Sequence, residues 1–381
     1  MSSDEELEQQ EWAKRPIRRF LPNRKFKRRH LGTPADSIAD DATDQIDLLD
    51  FVLFVVNRNI PVPINADFKP RDRWGLLGDG ASYLAYKIRL PDPDEERVGK
   101  YWMEGTDIVL KRTYSSSSSI QMPKQKQSRF LPVMSELAVL WHQPIMEHEN
   151  IIESLGVTWD IEQGAEPSIW PVLLLEYSEC GSLAGLNITL SFEQQTRICI
   201  DIANALLCLH SCGVAHCDVK SENVLLFVEY NEDEALTFTA KLNDFGSAVL
   251  NVSPDTDLPN GIVRTKPWSA PEAANHLKGL DVFKTDIFSF GMLFWRVILN
   301  EDLFFNVRST DRLEELEEMK KTGEILQLAL ATVSRLYSGS HAVIAEKVLK
   351  LTLPASPHKR ATGFESVLSI LTGEEIQSSR Y

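Results

Sequence analysis

In HCDVKSENVLLF (216–227) an acid, a lysine and an amide, Asp218, Lys220 and Asn223, stand in a short rhythm between apolar flanks. Three strong polar groups so close together raise the question of what chemistry they share. Further along, LNDFGSA (242–248) presents Asp244 after an apolar strand and before Phe245-Gly246, an arrangement that aims a carboxylate into a cleft beside a glycine. Asp244 with Asn223 is the hard-oxygen pair that Mg²⁺ takes when substrate phosphates and water complete its octahedron. Either residue alone is more often a turn former. Upstream, Gly78 and Gly80 of GDG sit between two strands, where glycines let a backbone approach a phosphate and offer it amide N–H groups. Lys111 ends the apolar strand Ile108-Val109-Leu110-Lys111. Singly, such a glycine pair is a turn and such a lysine is solvated.

Their common order changes the reading: glycine loop, strand lysine, helix glutamate, H-x-D-x-K-x-x-N, D-F-G, A-P-E. In that combination the sequence resembles the eukaryotic-type protein kinase family over about residues 74–372, in its serine/threonine branch, with HCD in place of HRD. The branch features are Lys220, two residues after the acid, and Thr265, five before Ala270-Pro271-Glu272. The resemblance implies an α+β bilobal fold, with a small strand-rich N-lobe at about 71–177 and a larger helical C-lobe at about 182–381. It implies ATP and Mg²⁺ as cofactors and a protein Ser/Thr hydroxyl as acceptor. By position, Gly78 and Gly80 would cover the phosphates, and Lys111 would grip two of them while paired with Glu136. Ala85, Val109 and Leu225 would enclose the adenine, with Leu175 as gatekeeper and the backbone of Glu176 and Ser178 meeting the base edge. Asp218 would take the hydroxyl proton, Lys220 would neutralise the γ-phosphoryl, and Asn223 with Asp244 would hold the metal. Glu272 would pair with Arg360, and Asp286 would brace the catalytic loop.

Two positions depart from the family. Tyr83 stands where a third glycine is usual, so the loop over the nucleotide should move differently. Cys217 replaces an arginine that many members use to bind an activation-segment phosphate, and a thiol lacks the paired donors of a guanidinium. Activity independent of that phosphorylation is therefore expected, although Ser253, Thr256 and Thr265 remain candidate modification sites. Two other readings stay open: a scaffold that keeps the fold without phosphotransfer, and a kinase acting on a small molecule.

The elements that must position these groups follow from periodicity. WGLLGDGASYLAYKIRL (74–90) reads as strand, turn, strand, and DIVLKRTY (107–114) as a third strand; SLGVTWDIE and PVLLLEYSE supply two more. LPVMSELAVLWH (131–142) has helical spacing, and Ser191 with Gln194 forms a capping box that opens a helix running to Gly213.

With 381 residues the chain exceeds a usual single core. Residues 1–70 read as a partly disordered extension and 71–381 as the kinase domain. The formal charge of -15 is uneven: residues 14–29 hold nine Lys and Arg and no acid, a basic arm that could bind import machinery or an acidic partner. Residues 46–62 are apolar enough to dock on the folded body as a helix, and their most apolar run, LLDFVLFVV (48–56), falls well short of the roughly 20 residues of a membrane span. Five cysteines without a C-x-x-C pair suggest free thiols in a reducing compartment, cytoplasmic or nuclear.

Overall fold

The computed structural model describes residues 48–62, 75–79, 83–89, 106–113, 130–162, 168–230, 236–262, 265–300 and 310–374. The basic stretch at 14–29, the serine run at 115–119 and Gly80 lie outside the described residues. The chain divides into two compact units, one built on a sheet and one on helices, with the changes of unit falling after Leu137, Glu153 and Tyr177.

The first unit is a five-stranded antiparallel sheet: β1 (Gly75–Asp79), β2 (Tyr83–Arg89), β3 (Asp107–Thr113), β4 (Ser154–Glu162) and β5 (Ser168–Glu176), in spatial order β1-β2-β3-β5-β4. Its register decides which side chains share a face, because successive residues of a strand point oppositely. Ala85 is opposite Lys111, Lys111 opposite Leu173, and Val109 opposite Leu175, so these five lie on one face. On the other face Ile88, Ile108, Leu110, Val172 and Leu174 form a buried cluster with Tyr86 and Leu155 against it. The β5 strand begins three residues before the Pro171 suggested by sequence, because Ser168 and Ile169 pair with β4. Two helices belong with this sheet: α1 (Leu48–Asn57), with Phe51, Phe54 and Val55 buried, and the first turns of α2 (Leu131–Leu140), which carries Glu136. A helix is thus present within the stretch 46–62 expected to dock on the folded body.

The second unit begins with the one-turn α3 (Gln143–Met146) and centres on α4 (Phe192–Ser211) and α5 (Asp281–Leu299). Both bonds of the predicted capping box form at the start of α4: Ser191 Oγ accepts from the Gln194 N–H at 3.2 Å, and Gln194 Oε1 accepts from the Ser191 N–H at 2.9 Å. Ile198, Ile202, Ala205, Leu206 and Leu209 make its buried stripe. Gly213, at φ 71°, ends it in the left-handed conformation that glycine adopts without a Cβ penalty. The hairpin of β6 (Val224–Tyr230) and β7 (Leu236–Leu242) lies against α4, tied by the Ala240 N–H donating to Asp201 Oδ2 at 2.9 Å. The short β8 (Asp257–Leu258) and β9 (Leu277–Lys278) pair within the segment before α5. Beyond it come α6 (Thr310–Thr322), α7 (Glu324–Leu336), α8 (Gly339–Thr352) and α9 (Glu365–Thr372).

Helix α5 is buried along nearly its whole length, which explains its run of apolar and aromatic residues. Where α8 meets it, Gly291 has no side chain to hold the helices apart: a Cβ there would collide with the Thr352 side chain and stand 2.8 Å from Leu353 Cδ2. Thr352 and Leu353 are themselves fully buried and cannot step aside. Gly291→Val should therefore cost about 1–3 kcal/mol and lower the midpoint of thermal unfolding by several degrees; an unchanged midpoint would mean that α8 yields.

Candidate active site

In the sheet unit the predicted lysine and helix glutamate meet. Lys111 Nζ lies 2.7 Å from Glu136 Oε1 and 2.9 Å from Oε2, with the two side chains 7% and 0% exposed. Removing either partner of so buried a pair leaves an uncompensated charge, a loss of about 3–5 kcal/mol. Tyr83 completes this corner. It is buried, and the Lys111 ammonium stands 4.3 Å from the centre of its ring, so the lysine is held by a carboxylate and by an aromatic face. The departure from glycine thus supplies a partner for the lysine. Ala85, opposite Lys111, and Val109 are half-buried on the lysine's face, Leu175 is buried opposite Val109, and Glu176 ends β5 half-buried. Gly78 is exposed, with open space where a Cβ would point.

In the helical unit the residues of the catalytic-loop motif converge on one carboxylate. Asp218 Oδ2 accepts from Lys220 Nζ at 2.6 Å and from Asn223 Nδ2 at 3.1 Å, and Oδ1 accepts from Thr265 Oγ1 at 2.6 Å. Asn223 Nδ2 also donates to the Asp218 carbonyl at 2.9 Å, which orients the amide oxygen away from the carboxylate. The Asn243 N–H donates to the Asn223 carbonyl at 2.9 Å, linking the loop to the turn that carries Asp244 at φ 65°. The donor chemistry fits a divalent hard cation: one carboxylate and one amide oxygen, from Asp244 and Asn223, match the small protein share of a site that phosphates and water complete. No group of three or more His, Cys, Asp or Glu that could hold a metal occurs among the described residues. Leu225, half-buried, forms an isolated bridge with Ser182. The Ser178 hydroxyl donates to the carbonyls of Leu226, at 2.5 Å, and Gly181, at 3.3 Å, fixing the chain beside it.

The loop itself is braced from below. Asp286 of α5, 1% exposed, accepts from the His216 N–H at 2.7 Å and the Cys217 N–H at 2.8 Å, and its Oδ2 lies 2.9 Å from His210 Nε2. The His216 ring packs against Phe245 and bonds the Asn243 carbonyl at 3.1 Å, so the two motif loops share one histidine. Arg360 meets Glu272 through both guanidinium NH groups and donates to the carbonyls of Pro354, Lys284 and Ala355. Sequence reasoning anticipated the Asp286 and Glu272–Arg360 interactions. It missed His210, Thr265 as a donor to Asp218, and the Tyr83 stack. A histidine in the last turn of α4 was the one visible signal for the first; the other two depend on segments far apart in sequence.

Cys217 adopts a left-handed conformation, φ 64°, and is buried among Ala215, Val252, Leu277 and Val282. Burial, reinforced by the negative charge of Asp286, pushes its thiol well above the ordinary range, so the side chain is neutral and serves as an apolar packing group.

A family model described as the protein kinase domain matches residues 110–370. The chain belongs to the protein kinase domain family. Among its curated relatives, a probable LRR receptor-like serine/threonine-protein kinase of Arabidopsis thaliana is 28% identical over 314 residues, 80% of this chain and 27% of that protein. A dual serine/threonine and tyrosine protein kinase of Xenopus laevis is 29% identical over 165 residues, 43% of this chain and 16% of the relative. A putative mitogen-activated protein kinase kinase kinase 7-like protein of Drosophila melanogaster is 30% identical over 194 residues, 49% of this chain and 44% of the relative. The chain thus spans about a quarter of the length of the first of these relatives. The bilobal α+β expectation holds: this kinase domain has a strand-rich unit and a helical unit.

Substitutions at two positions test these contacts. Asp286→Ala strands the His216 and Cys217 amides, each about 1–3 kcal/mol when buried and unpaired, and should lower thermal stability more than Asp286→Asn, which keeps an acceptor oxygen. Tyr83→Phe should leave nucleotide affinity within about twofold, whereas Tyr83→Gly should weaken it by roughly threefold to thirtyfold, the range of a partly desolvated cation–π contact; tighter binding by Tyr83→Gly would show the ring to be an obstruction.

Proposed function

We propose that this chain is a serine/threonine protein kinase that transfers the γ-phosphoryl group of ATP to a protein hydroxyl, without waiting for phosphorylation of its own activation segment. The observation that carries this reading is the pair of charge assemblies: Lys111 held against Glu136, and Asp218 held by Lys220, Asn223 and Thr265. A scaffold under no demand for phosphotransfer has no reason to keep both.

The chemistry asks for positioned charge more than for covalent intermediates. Lys111 neutralises phosphate oxygens of the bound nucleotide from a site already shaped by Glu136 and Tyr83. Asp218 accepts the proton of the acceptor hydroxyl as its oxygen forms a bond to the γ-phosphorus; the bond to the bridging oxygen breaks, and ADP departs with that electron pair. Lys220 neutralises the oxygens of the phosphoryl group in transit. Asn223 and Asp244 would hold a divalent cation such as Mg²⁺, which when bound offsets charge on the phosphates.

Independence from activation-segment phosphorylation rests on Cys217. An arginine at that position is a buried charge awaiting a phosphate; the thiol instead packs with Val252 and Leu277 of the segment between Asp244 and α5 and with Val282 of the first turn of α5, with Val249 and Leu258 against the same cluster. Apolar burial supports this order and needs no phosphate. The serine/threonine preference is supported by Lys220 and Thr265, whose hydroxyl bonds Asp218. The five cysteines are free thiols, in keeping with a reducing compartment, cytoplasm or nucleus. None of the described helices is long and apolar enough to cross a membrane.

Purified protein with Mg²⁺, ATP and a generic protein acceptor tests the reading. Transfer to serine and threonine should exceed that of Asp218→Asn by at least about 100-fold, the scale of a positioned general base. Pretreatment with a phosphatase should change kcat by less than about twofold. Transfer no higher than Asp218→Asn would leave a scaffold, transfer confined to small molecules would reassign the acceptor, and a large loss after phosphatase would overturn the role given to Cys217.

A further inference from the structure

We propose that α1 (Leu48–Asn57), the first helix among the described residues, is a positioning element for the Lys111–Glu136 pair. It lies outside the residues matched by the kinase-domain model, and nothing in the motifs assigns it a task. Helix α2, which carries Glu136, reads LPVMSELAVL: apart from Ser135 and Glu136 it is apolar on every side. Such a helix is stable only when it is covered on more than one side. The sheet covers the side that Glu136 turns towards Lys111.

Part of the remaining cover comes from α1. Phe130, whose carbonyl accepts the Met134 N–H at 2.9 Å and so opens α2, is buried, and its ring centroid lies 5.5 Å from that of Phe51. The Phe51 ring also meets Trp159 of β4 edge-on, at 5.3 Å and 74°. Trp159 pairs with Pro171, two residues from the Leu173 that faces Lys111, so it stands on the lysine's face of the sheet. Phe51, fully buried, is therefore wedged between the start of the helix bearing Glu136 and the sheet face bearing Lys111.

The wedge is fastened by the backbone as well. The Asn59 and Ile60 N–H groups close the end of α1 on the Val56 and Val55 carbonyls, and the Pro61 carbonyl then accepts the Val157 N–H of β4 at 3.0 Å. Gly156 makes this approach possible: its φ is +130°, and any Cβ there would collide with the Pro61 carbonyl oxygen. A displacement of α1 must move Phe130, and Glu136 lies less than two helical turns beyond it. The proposal relies on the kinase reading for its consequence in catalysis, but the ion pair can be followed without any turnover.

The test uses the full chain with Phe51→Ala, Phe51→Leu, Leu53→Ala on the exposed side of the same helix, and Glu136→Gln as reference. A brief pulse of acetic anhydride, read by mass spectrometry, reports the exposure of Lys111, and the fully buried Lys320 of the helical unit reports overall integrity. Lys111 labelling should rise about tenfold in Phe51→Ala, as when an open state at the per cent level is promoted, and less in Phe51→Leu. It should stay at the wild-type level in Leu53→Ala, with Lys320 protected throughout. For kcat/KM with ATP, Phe51→Leu combined with Glu136→Gln should lose no more than Glu136→Gln alone, because one residue acts through the other. Wild-type labelling of Lys111 in a Phe51 variant that keeps Lys320 protected would overturn the proposal, as would losses that multiply. If Phe51→Ala loosens the whole chain, Phe51→Leu decides. Should the wild-type protein transfer no phosphoryl group, the functional reading falls, while the labelling still decides whether α1 positions the ion pair.

Discussion

A charge taken out of water is tolerated only where the fold delivers a partner to it, and that constraint organises this molecule. An unpaired buried ion costs several kcal/mol after all relaxation. Lys111 with Glu136, Arg112 with Asp160, Arg360 with Glu272, and Lys320 with Glu317 and the Ser269 carbonyl are all answers to it. Asp286 answers it differently, with two backbone N–H donors and a histidine in place of a single counter-ion. Because most of these partners come from distant segments, the pairs also fix tertiary geometry: the loop with Asp218 cannot leave α5 without stranding a carboxylate, and the Ala270-Pro271-Glu272 segment cannot leave Arg360.

Against this background Cys217 is the informative exception. At the one position where a further buried cation would be expected by family resemblance, the chain places a neutral group, and the surroundings are correspondingly apolar. The contacts that Cys217 makes with the segment before α5 are side-chain packing, which responds to temperature and to cavity-forming substitutions. Tyr83 is the converse case. A bulky ring at a position that usually carries no side chain brings an aromatic face to the lysine, so a change that reads as a defect in sequence becomes a contact in three dimensions.

Much of the site was legible in the chain because its groups are close in sequence or tied to periodic elements. Asp218, Lys220 and Asn223 fall within six residues, and a loop of that length can bring them together without help from elsewhere. The capping box at Ser191, the stop at Gly213 and the alternation in β2 to β5 follow from local backbone preferences and from which face must be dry. The order of the motifs carried the fold class and the pairings of Lys111 with Glu136 and of Glu272 with Arg360.

Sequence alone therefore established the periodic elements and the apolar stretch within which the helix at 48–57 forms, while the family resemblance nominated the groups. Only the tertiary structure decided that Thr265 bonds Asp218, that His210 joins Asp286, that Tyr83 covers Lys111 and that Phe51 reaches both Phe130 and Trp159. The physical reason is the same for each. Local sequence fixes dihedral preferences and the dry side of a helix or strand, whereas which side chain meets which across tens of residues depends on strand register and on close packing between elements, quantities that no single segment encodes.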